Sequence, residues 1–201
     1  MPAYEIAIFT DDLGAIPPGL FDSVEIIKEP SYSFMDRIKC LSKTPFKSTL
    51  FLDTDTYIVE SFPELFELLG RFDIAYAHAP CRDFNYGVMT CPKSFPPPQA
   101  GVLLFNNNRS IMALLRKWLK LFKKQLIDTP KFTNDQPALG QAMYNSNVKF
   151  TILAPEYNLR TEFPCFIGGN ARAKILHGRG ISLEGLKPIV NKSFKPRVFN
   201  A

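Results

Sequence analysis

The chain has 201 residues, 46% of them hydrophobic and 13% aromatic, and this composition predicts one folded domain (residues 1–201), not a disordered or fibrous chain. No apolar run is long enough to cross a bilayer and no basic leader opens the chain, so we expect a cytoplasmic protein with no transmembrane segment. The net charge of +5 favours anionic ligands, but no arginine-rich recognition helix indicates nucleic acid.

Hydrophobic periodicity predicts strands that alternate with helices. The predicted strands are Tyr4–Phe9, Ser23–Ile27, Thr49–Leu52, Tyr57–Val59, Phe72–Ala77, Gly101–Phe105, Val148–Leu153 and Lys174–Leu176. The predicted helices are Ser33–Lys43, Pro63–Leu69, Arg109–Leu126 and Asp135–Tyr144. Prolines predict an irregular loop over His78–Gln99. The order indicates an α/β fold with a mixed, mostly parallel sheet and helices on both faces.

The cysteines are irregularly spaced and include no Cys-x-x-Cys pair. They are Cys40, Cys81, Cys91 and Cys165. We expect free thiols in a reducing compartment.

Two carboxylates follow the predicted strand Thr49–Leu52, in the pentad Phe51-Leu52-Asp53-Thr54-Asp55. Carboxylates this close repel each other and favour a cation between them. Hard oxygen ligands suit Mg²⁺ or Mn²⁺, and such an ion can hold a diphosphate. The alternative is a turn with two solvated aspartates.

Four further segments carry chemistry-bearing residues, and each also has a structural interpretation. Small residues open the strand Gln99–Asn106, which allows close approach of a ligand or simply tight packing. The segment Asn134–Leu139 places an acid and an amide at a helix start, where they bind a ligand or cap the helix. His177–Gly180 places a histidine among glycines, as a ligand or a core residue. Arg37 precedes the aspartate strand, as a site residue or a surface charge.

These motifs, in this order, resemble the GT-A glycosyltransferases. The D-x-D pair, an A-G-V-L-x-F-N strand, N-D-Q at a helix start and H-x-x-G are similar to family eight, the group of glycogenin and the bacterial lipooligosaccharide galactosyltransferases. The resemblance covers roughly residues 4–188 and implies a Rossmann-like GT-A domain. It implies a retaining, metal-dependent transfer of sugar from a nucleotide-diphosphate donor to a carbohydrate, lipid or protein acceptor that the sequence does not identify.

The resemblance also implies roles for particular residues. Asp53, Asp55 and His177 would bind Mn²⁺ (or Mg²⁺). Asp135 and Gln136 would line the donor sugar and are the catalytic candidates. The donor-binding residues would be Arg37, Asp53, Thr54, Asp55, Ala100, Gly101, Gly180 and Lys187.

Two departures from the family stand out. Lys187-Pro188-Ile189 comes late after the histidine and lacks the family's tryptophan. The family's first nucleotide-binding strand and helix have no counterpart, because Tyr4–Phe9 resembles its second strand. Because Tyr4–Phe9 shows no polar alternation, we expect it to be an interior strand. Without the family's first strand, one edge of this strand would be left open. Either coding sequence lies upstream, or a partner chain or second copy covers the edge, or Ile181–Phe199 folds over it.

Two other functions remain open at this point. One is a non-catalytic, truncated relative that only binds the nucleotide sugar. The other is a haloacid-dehalogenase-type phosphatase, whose nucleophile motif also has the form Asp-x-Asp. That motif usually has threonine or valine where this chain has Tyr57.

Overall fold

The structure is a computed structural model that describes residues 4–79, 90–160, 162–178 and 183–199. The strands are β1 (Ala7–Thr10), β2 (Ser23–Ile26), β3 (Ser48–Leu52), β4 (Thr56–Ile58), β5 (Ile74–His78), β6 (Pro98–Asn106), β7 (Phe150–Leu153), β8 (Leu159–Arg160), β9 (Cys165–Ile167), β10 (Ile175–His177) and β11 (Arg197–Phe199). The α-helices are α1 (Phe34–Leu41), α2 (Arg109–Asp128), α3 (Gln136–Tyr144) and α4 (Leu183–Val190). Short 3₁₀ helices cover Leu13–Ala15, Pro63–Gly70 and Pro155–Tyr157.

The central sheet has the strand order β3-β6-β5-β7. Strand β6 runs antiparallel to both of its neighbours, and β5 is parallel to β7. Alternate residues of β6 face opposite sides of the sheet. Leu103 and Phe105 pack with α1, α2 and α3 in one apolar cluster, while Val102 and Leu104 pack with the 3₁₀ helix Pro63–Gly70 and β10 in another. The sheet is therefore covered on both sides.

A smaller sheet, β4-β10-β8, stands beside the end of β3. Strand β10 is antiparallel to β4 and parallel to β8, so His177 lies between Thr56 and Arg160. A tight turn links β3 to β4, because the backbone N–H and the hydroxyl of Thr56 both donate to the carbonyl of Asp53. This turn brings the end of β3 next to the end of β10.

The α/β class and a mixed sheet are as predicted, but the mostly parallel arrangement is confirmed only in part. Among the described strand pairs, β1–β2, β5–β7 and β8–β10 are parallel, and the other pairs are antiparallel. Parallel neighbours need a crossover connection. Strand β4 instead follows β3 through a tight turn, and β6 returns beside β5 in the opposite direction.

Other elements differ from the prediction in detail. The helix predicted at Pro63–Leu69 is a 3₁₀ helix. Strands β8, β9 and β11 were not predicted and are only two or three residues long; helix α4 was not predicted either, and it contains Pro188. Residues 80–89 of the predicted loop His78–Gln99 lie outside the described residues. Among the described residues, no helix is both long and apolar enough to cross a membrane.

The prediction that Tyr4–Phe9 is an interior strand is wrong for the described structure. Strand β1 covers Ala7–Thr10 and pairs only with β2 within the described chain. All four residues of β1 are half-buried, and Ile6 is exposed. The physical reason is the pairing itself, since a strand with one neighbour keeps its second edge open to solvent.

Candidate functional site

A cleft of about 220 Å³ opens at the carboxyl end of β3. Helix α1, the ends of β3, β8 and β10, the start of β6 and the beginning of α3 all contribute to it. The lining residues are Phe34, Arg37, Asp53, Asp55, Gln99, Asn134, Gln136, Arg160, Glu162 and His177. Nearly all of these side chains are polar or charged, which is typical of a site for a polar ligand.

Asp53, Asp55 and His177 converge at one point of the cleft. One ligand atom from each residue lies within 4.8 Å of the other two. The Nε2 atom of His177 is 3.2 Å from Oδ1 of Asp55 and 3.9 Å from Oδ2 of Asp53. The turn after β3 makes this possible, because the carbonyl of Asp55 accepts a hydrogen bond from the N–H of Gly178.

A chain of hydrogen bonds determines which nitrogen of His177 faces the carboxylates. The N–H of Gly101 donates to Oε1 of Gln99 (2.8 Å), which fixes the orientation of that amide. The same Oε1 accepts from Nδ2 of Asn158 (3.3 Å), so Oδ1 of Asn158 points the other way. That oxygen lies 2.7 Å from Nδ1 of His177 and accepts its hydrogen. In the neutral imidazole, Nε2 therefore presents a lone pair to the aspartates.

The residues fit a divalent cation. Burial lowers the pKa of His177, the nearby Arg160 lowers it further, and Asp55 and Asp53 oppose this, so the imidazole is neutral near pH 7. A lone pair of His177 and a carboxylate oxygen of Asp55 then face each other at 3.2 Å, an arrangement that a cation between them would stabilise. Oxygen and imidazole ligands suit Mn²⁺, and carboxylates also suit Mg²⁺.

Gly101 leaves the space that this convergence needs. A Cβ atom at this position would lie 2.1 Å from Cε1 of His177 and 2.7 Å from Oδ2 of Asp53. Real atoms do not approach so closely, so only glycine allows His177 and Asp53 to meet here. The neighbouring Ala100 is fully buried and packs in the apolar cluster with the helices.

Arg37 connects the aspartate pair to the start of α3. Its Nη1 donates to both oxygens of Asp53 (2.9 and 3.1 Å), and its Nη2 donates to Oδ1 of Asp135 (2.5 Å). The guanidinium also lies over the ring of Phe34, 4.7 Å from the centroid. Burial alone would lower the pKa of Arg37, but Asp135 and Asp53 raise it, so the group keeps its charge. The alternative interpretation of Arg37, a solvated surface charge, is therefore wrong.

Asp135 is completely buried at the start of α3. One carboxylate oxygen is bound by Arg37, while Oδ2 has no hydrogen-bond partner among the described residues. Burial raises the pKa of Asp135, and the charge of Arg37 opposes that rise. Gln136 lines the cleft, and its backbone N–H donates to the side chain of Asn134 (2.9 Å). Asn134 thus satisfies the first free N–H of the helix, although the N-cap position is Asp135, whose side chain makes no capping hydrogen bond.

Two of the other predicted residues, Thr54 and Lys187, lie away from the cleft lining. Thr54 is exposed at the turn and does not line the cleft. Lys187 is exposed on α4, with its Nζ 5.8 Å from the centroid of the Tyr57 ring, and it is not among the described lining residues. Arg179 and Gly180 lie outside the described residues.

Sequence reasoning missed four residues of the site: Phe34, Asn158, Arg160 and Glu162. Asn158 precedes the two-residue strand β8 and Arg160 is its second residue, and a strand this short gives no periodic signal. Their roles depend on contacts with His177 and the cleft, which local sequence does not reveal. The free cysteines expected from spacing are found at Cys40, Cys91 and Cys165. Cys81 lies outside the described residues.

No protein-family model matches the sequence, and no curated protein matches it. Solved structures do resemble the chain. The structural match to the bifunctional glycosyltransferase WbbM covers 79% of this chain and 35% of the WbbM chain, at 14% sequence identity and a TM-score of 0.53. The galactosyltransferase LgtC, solved with donor and acceptor sugar analogues, matches 82% with 69% of its own, at 15% identity and a TM-score of 0.50.

Mouse xyloside xylosyltransferase 1 matches 73% of this chain with 62% of its own, at 20% identity and a TM-score of 0.50. The chain therefore spans about a third of WbbM and less than two thirds of the mouse enzyme. At sequence identities this low, these comparisons show a similarity of fold only. The chain has the fold of the GT-A glycosyltransferases, as the sequence motifs predicted.

Proposed function

We propose that this chain is a metal-dependent glycosyltransferase that moves a sugar from a nucleotide-diphosphate donor to an acceptor. The observation that carries the proposal is the convergence of Asp53, Asp55 and His177 at the carboxyl end of a strand in a GT-A fold. Ligands of α/β sheets bind outside the carboxyl ends of the strands. The structural neighbours are glycosyltransferases, which favours this function over a phosphatase.

Mn²⁺, or Mg²⁺, is the proposed cofactor, held by Asp53, Asp55 and His177. Such an ion would neutralise the negative charge that develops on the departing nucleoside diphosphate. Gln99 and Asn158 hold the imidazole so that Nε2 faces the carboxylates. Partners that orient a ligand in this way also set its basicity.

Asp135 and Gln136 are the proposed residues on the donor sugar. The Oδ2 of Asp135 has no partner among the described residues and lies behind the lining of the cleft, so a sugar hydroxyl that reached it as neighbouring side chains moved would satisfy a buried oxygen. Arg37 ties this carboxylate to Asp53 and so fixes its distance from the metal ligands. Retention of anomeric configuration, carried over from the resemblance, completes the proposed reaction.

The wider assignment is also a proposal. We infer one domain over residues 1–201 and a cytoplasmic location, for which the free thiols of Cys40, Cys91 and Cys165 are the support. The acceptor is a carbohydrate, a lipid or a protein. The open edge and half-exposed residues of β1 support a partner chain or a second copy at that edge.

A thermal-shift screen tests the binding step. Nucleoside diphosphates and their sugars are compared with and without Mn²⁺. A ligand present at 100 times its Kd stabilises the native state by about 2.7 kcal/mol. For a chain of this length that raises the Tm by about 5–10 °C. Release of free sugar from the best donor in the presence of Mn²⁺ then distinguishes a transferase from a protein that only binds.

Asp55→Asn is the informative variant, because Asp55 ligates the proposed metal but has no described bond to Arg37. It should abolish the metal-dependent shift. Asp128→Asn, which changes an exposed carboxylate at the end of α2, is the matched control and should leave the shift unchanged. A shift that does not depend on Mn²⁺, or that survives in Asp55→Asn, would contradict the proposed metal site.

A further inference from the structure

The cleft contains a second arginine, Arg160, to which neither the sequence nor the resemblance assigns a role. It lies at the end of β8, opposite His177 in the parallel pairing of β8 with β10. Residues paired in this way project to the same face of a sheet, so the guanidinium stands on the imidazole side of the metal site.

The two arginines of the cleft differ in how their charge is balanced. Arg37 is bound by two carboxylates, those of Asp53 and Asp135, and its side chain is only 9% exposed. Arg160 has one described carboxylate partner, Glu162, whose side chain is 29% exposed. The Nε of Arg160 has no hydrogen-bond partner among the described residues. Arg160 is thus the guanidinium whose one described carboxylate partner a ligand can replace.

The net charge of the cleft indicates that a bound diphosphate needs a cationic side chain in addition to the metal ion. Its described lining residues include two arginines and three carboxylates, with the buried Asp135 behind them. A divalent ion would bring the site only to about neutrality, which is too little to hold a diphosphate firmly. Lys187, which the resemblance implies for this role, is exposed and lies over Tyr57. Arg160 lines the cleft itself and is half-buried, with 16% of its side chain exposed.

We propose that Arg160 binds a phosphate oxygen of the metal-bound diphosphate, and that Glu162 occupies its guanidinium until the ligand arrives. A guanidinium binds carboxylate and phosphate oxygens with the same two-pronged geometry, so one can take the place of the other. This inference rests on the proposed function, since it takes the ligand to be a nucleoside diphosphate or its sugar. It makes opposite predictions for the two members of the pair.

The test measures binding of inorganic pyrophosphate by calorimetry, with Mn²⁺ present, to the full chain and its variants. Arg160→Gln should weaken pyrophosphate binding about tenfold or more. Glu162→Gln should strengthen it, because it removes the competing carboxylate. Arg116→Gln, on the exposed face of α2, is the control and should have no effect. Affinity for Mn²⁺ alone, measured by electron paramagnetic resonance, should change less than twofold in all three variants.

The outcomes separate the inference from the proposed function. If the unaltered chain shows no metal-dependent pyrophosphate binding, both are overturned. If it binds and Arg160→Gln binds equally well, or if Glu162→Gln weakens binding as much as Arg160→Gln, only the inference is overturned, and the pair is a structural bridge. The last measurement is the binding of inorganic phosphate in the absence of metal. If Arg160→Gln loses binding of inorganic phosphate but keeps metal-dependent binding of pyrophosphate, Arg160 binds an anion other than the donor diphosphate. That result would overturn the diphosphate assignment.

Discussion

A single methyl group at Gly101 should disable the cleft without changing any of its polar groups. In Gly101→Ala the new Cβ would lie 2.1 Å from Cε1 of His177, 2.7 Å from Oδ2 of Asp53 and 3.0 Å from Nε2 of Gln99. The first two distances are well inside van der Waals contact. Something must therefore move, and the question is what the movement costs.

The neighbours of Gly101 have little freedom to yield. His177 is 1% exposed and is held through Nδ1 by Asn158, while Asp53 is held by Arg37. The backbone of Gly101 is itself fixed, since its carbonyl accepts from the N–H of Asp53 at 2.8 Å. Overpacking at such a position costs about 1–3 kcal/mol. At this chain length the loss corresponds to a Tm lower by about 2–12 °C. Displacement of the imidazole should also weaken Mn²⁺ binding about 10- to 100-fold.

The assay combines urea unfolding with a Mn²⁺ titration followed by electron paramagnetic resonance. Gly70→Ala is the matched control: a Cβ at Gly70 meets nothing within 4 Å, and its effect should stay within about 0.5 kcal/mol. If Gly101→Ala is as stable as Gly70→Ala and binds Mn²⁺ with unchanged affinity, the site does not have the geometry described here.

Three further variants test separate parts of the structure. Asn158→Ala should lower Mn²⁺ affinity about 10- to 100-fold, because Nδ1 of His177 loses the acceptor that fixes its tautomer; unchanged affinity would show that the relay is only structural. Asp135→Asn should lower donor turnover about 100-fold while the Tm falls by only a few degrees, since the amide oxygen can still accept from the arginine; full turnover with an intact fold would remove it from the catalytic assignment. The pKa of Glu60 is lowered from 4.5, mainly by the hydrogen bond from Arg172, so its stabilising effect is present above pH 4.5 and is lost as the pH falls through the lowered pKa. Glu60→Gln should therefore flatten the acid limb of the plot of unfolding free energy against pH, and urea titrations between about pH 3 and 6 would show whether it does.

The parts of the site that could be predicted are those encoded over a few residues. Asp53 and Asp55 are separated by one residue at the end of an apolar run, and a strand that ends in two carboxylates is recognisable without any tertiary information. His177 stands at the end of a short apolar segment and is followed by a glycine. In each case the local pattern contains both the strand and the side chain that emerges from it, so the position at the sheet edge follows.

The parts that could not be predicted depend on contacts between distant segments. Arg37 and Asp135 are 98 residues apart, and nothing near either residue indicates that they meet. Asn158 orients His177 from a neighbouring strand of only two residues. Resemblance to a family suggested that Arg37 lies near the donor, but not that two carboxylates already bind it.

The predicted strand directions were confirmed only in part, for a related reason. Alternation of strands and helices along the chain favours parallel pairing, because helices usually form the crossovers. Strand β4 follows β3 after a turn of three residues, and no helix is described between β5 and β6. The sequence shows where the longer strands occur, but the direction of a neighbouring strand depends on connections whose geometry the pattern does not contain.

The energetics of the cleft also argue that it serves a ligand and not the stability of the fold. Asp135 is buried with one oxygen that no described group satisfies, which costs free energy in the absence of a partner. Asp53 and Asp55 are held close together, and the lone pair of a neutral imidazole points at them. A sequence selected for stability alone would replace such groups with apolar ones, since that change is often neutral or favourable. Each unfavourable feature becomes favourable once a cation lies between the three ligand atoms and a hydroxyl group meets the unpartnered oxygen. Sites where local rules are broken together, within one cleft, are the places where function is expected.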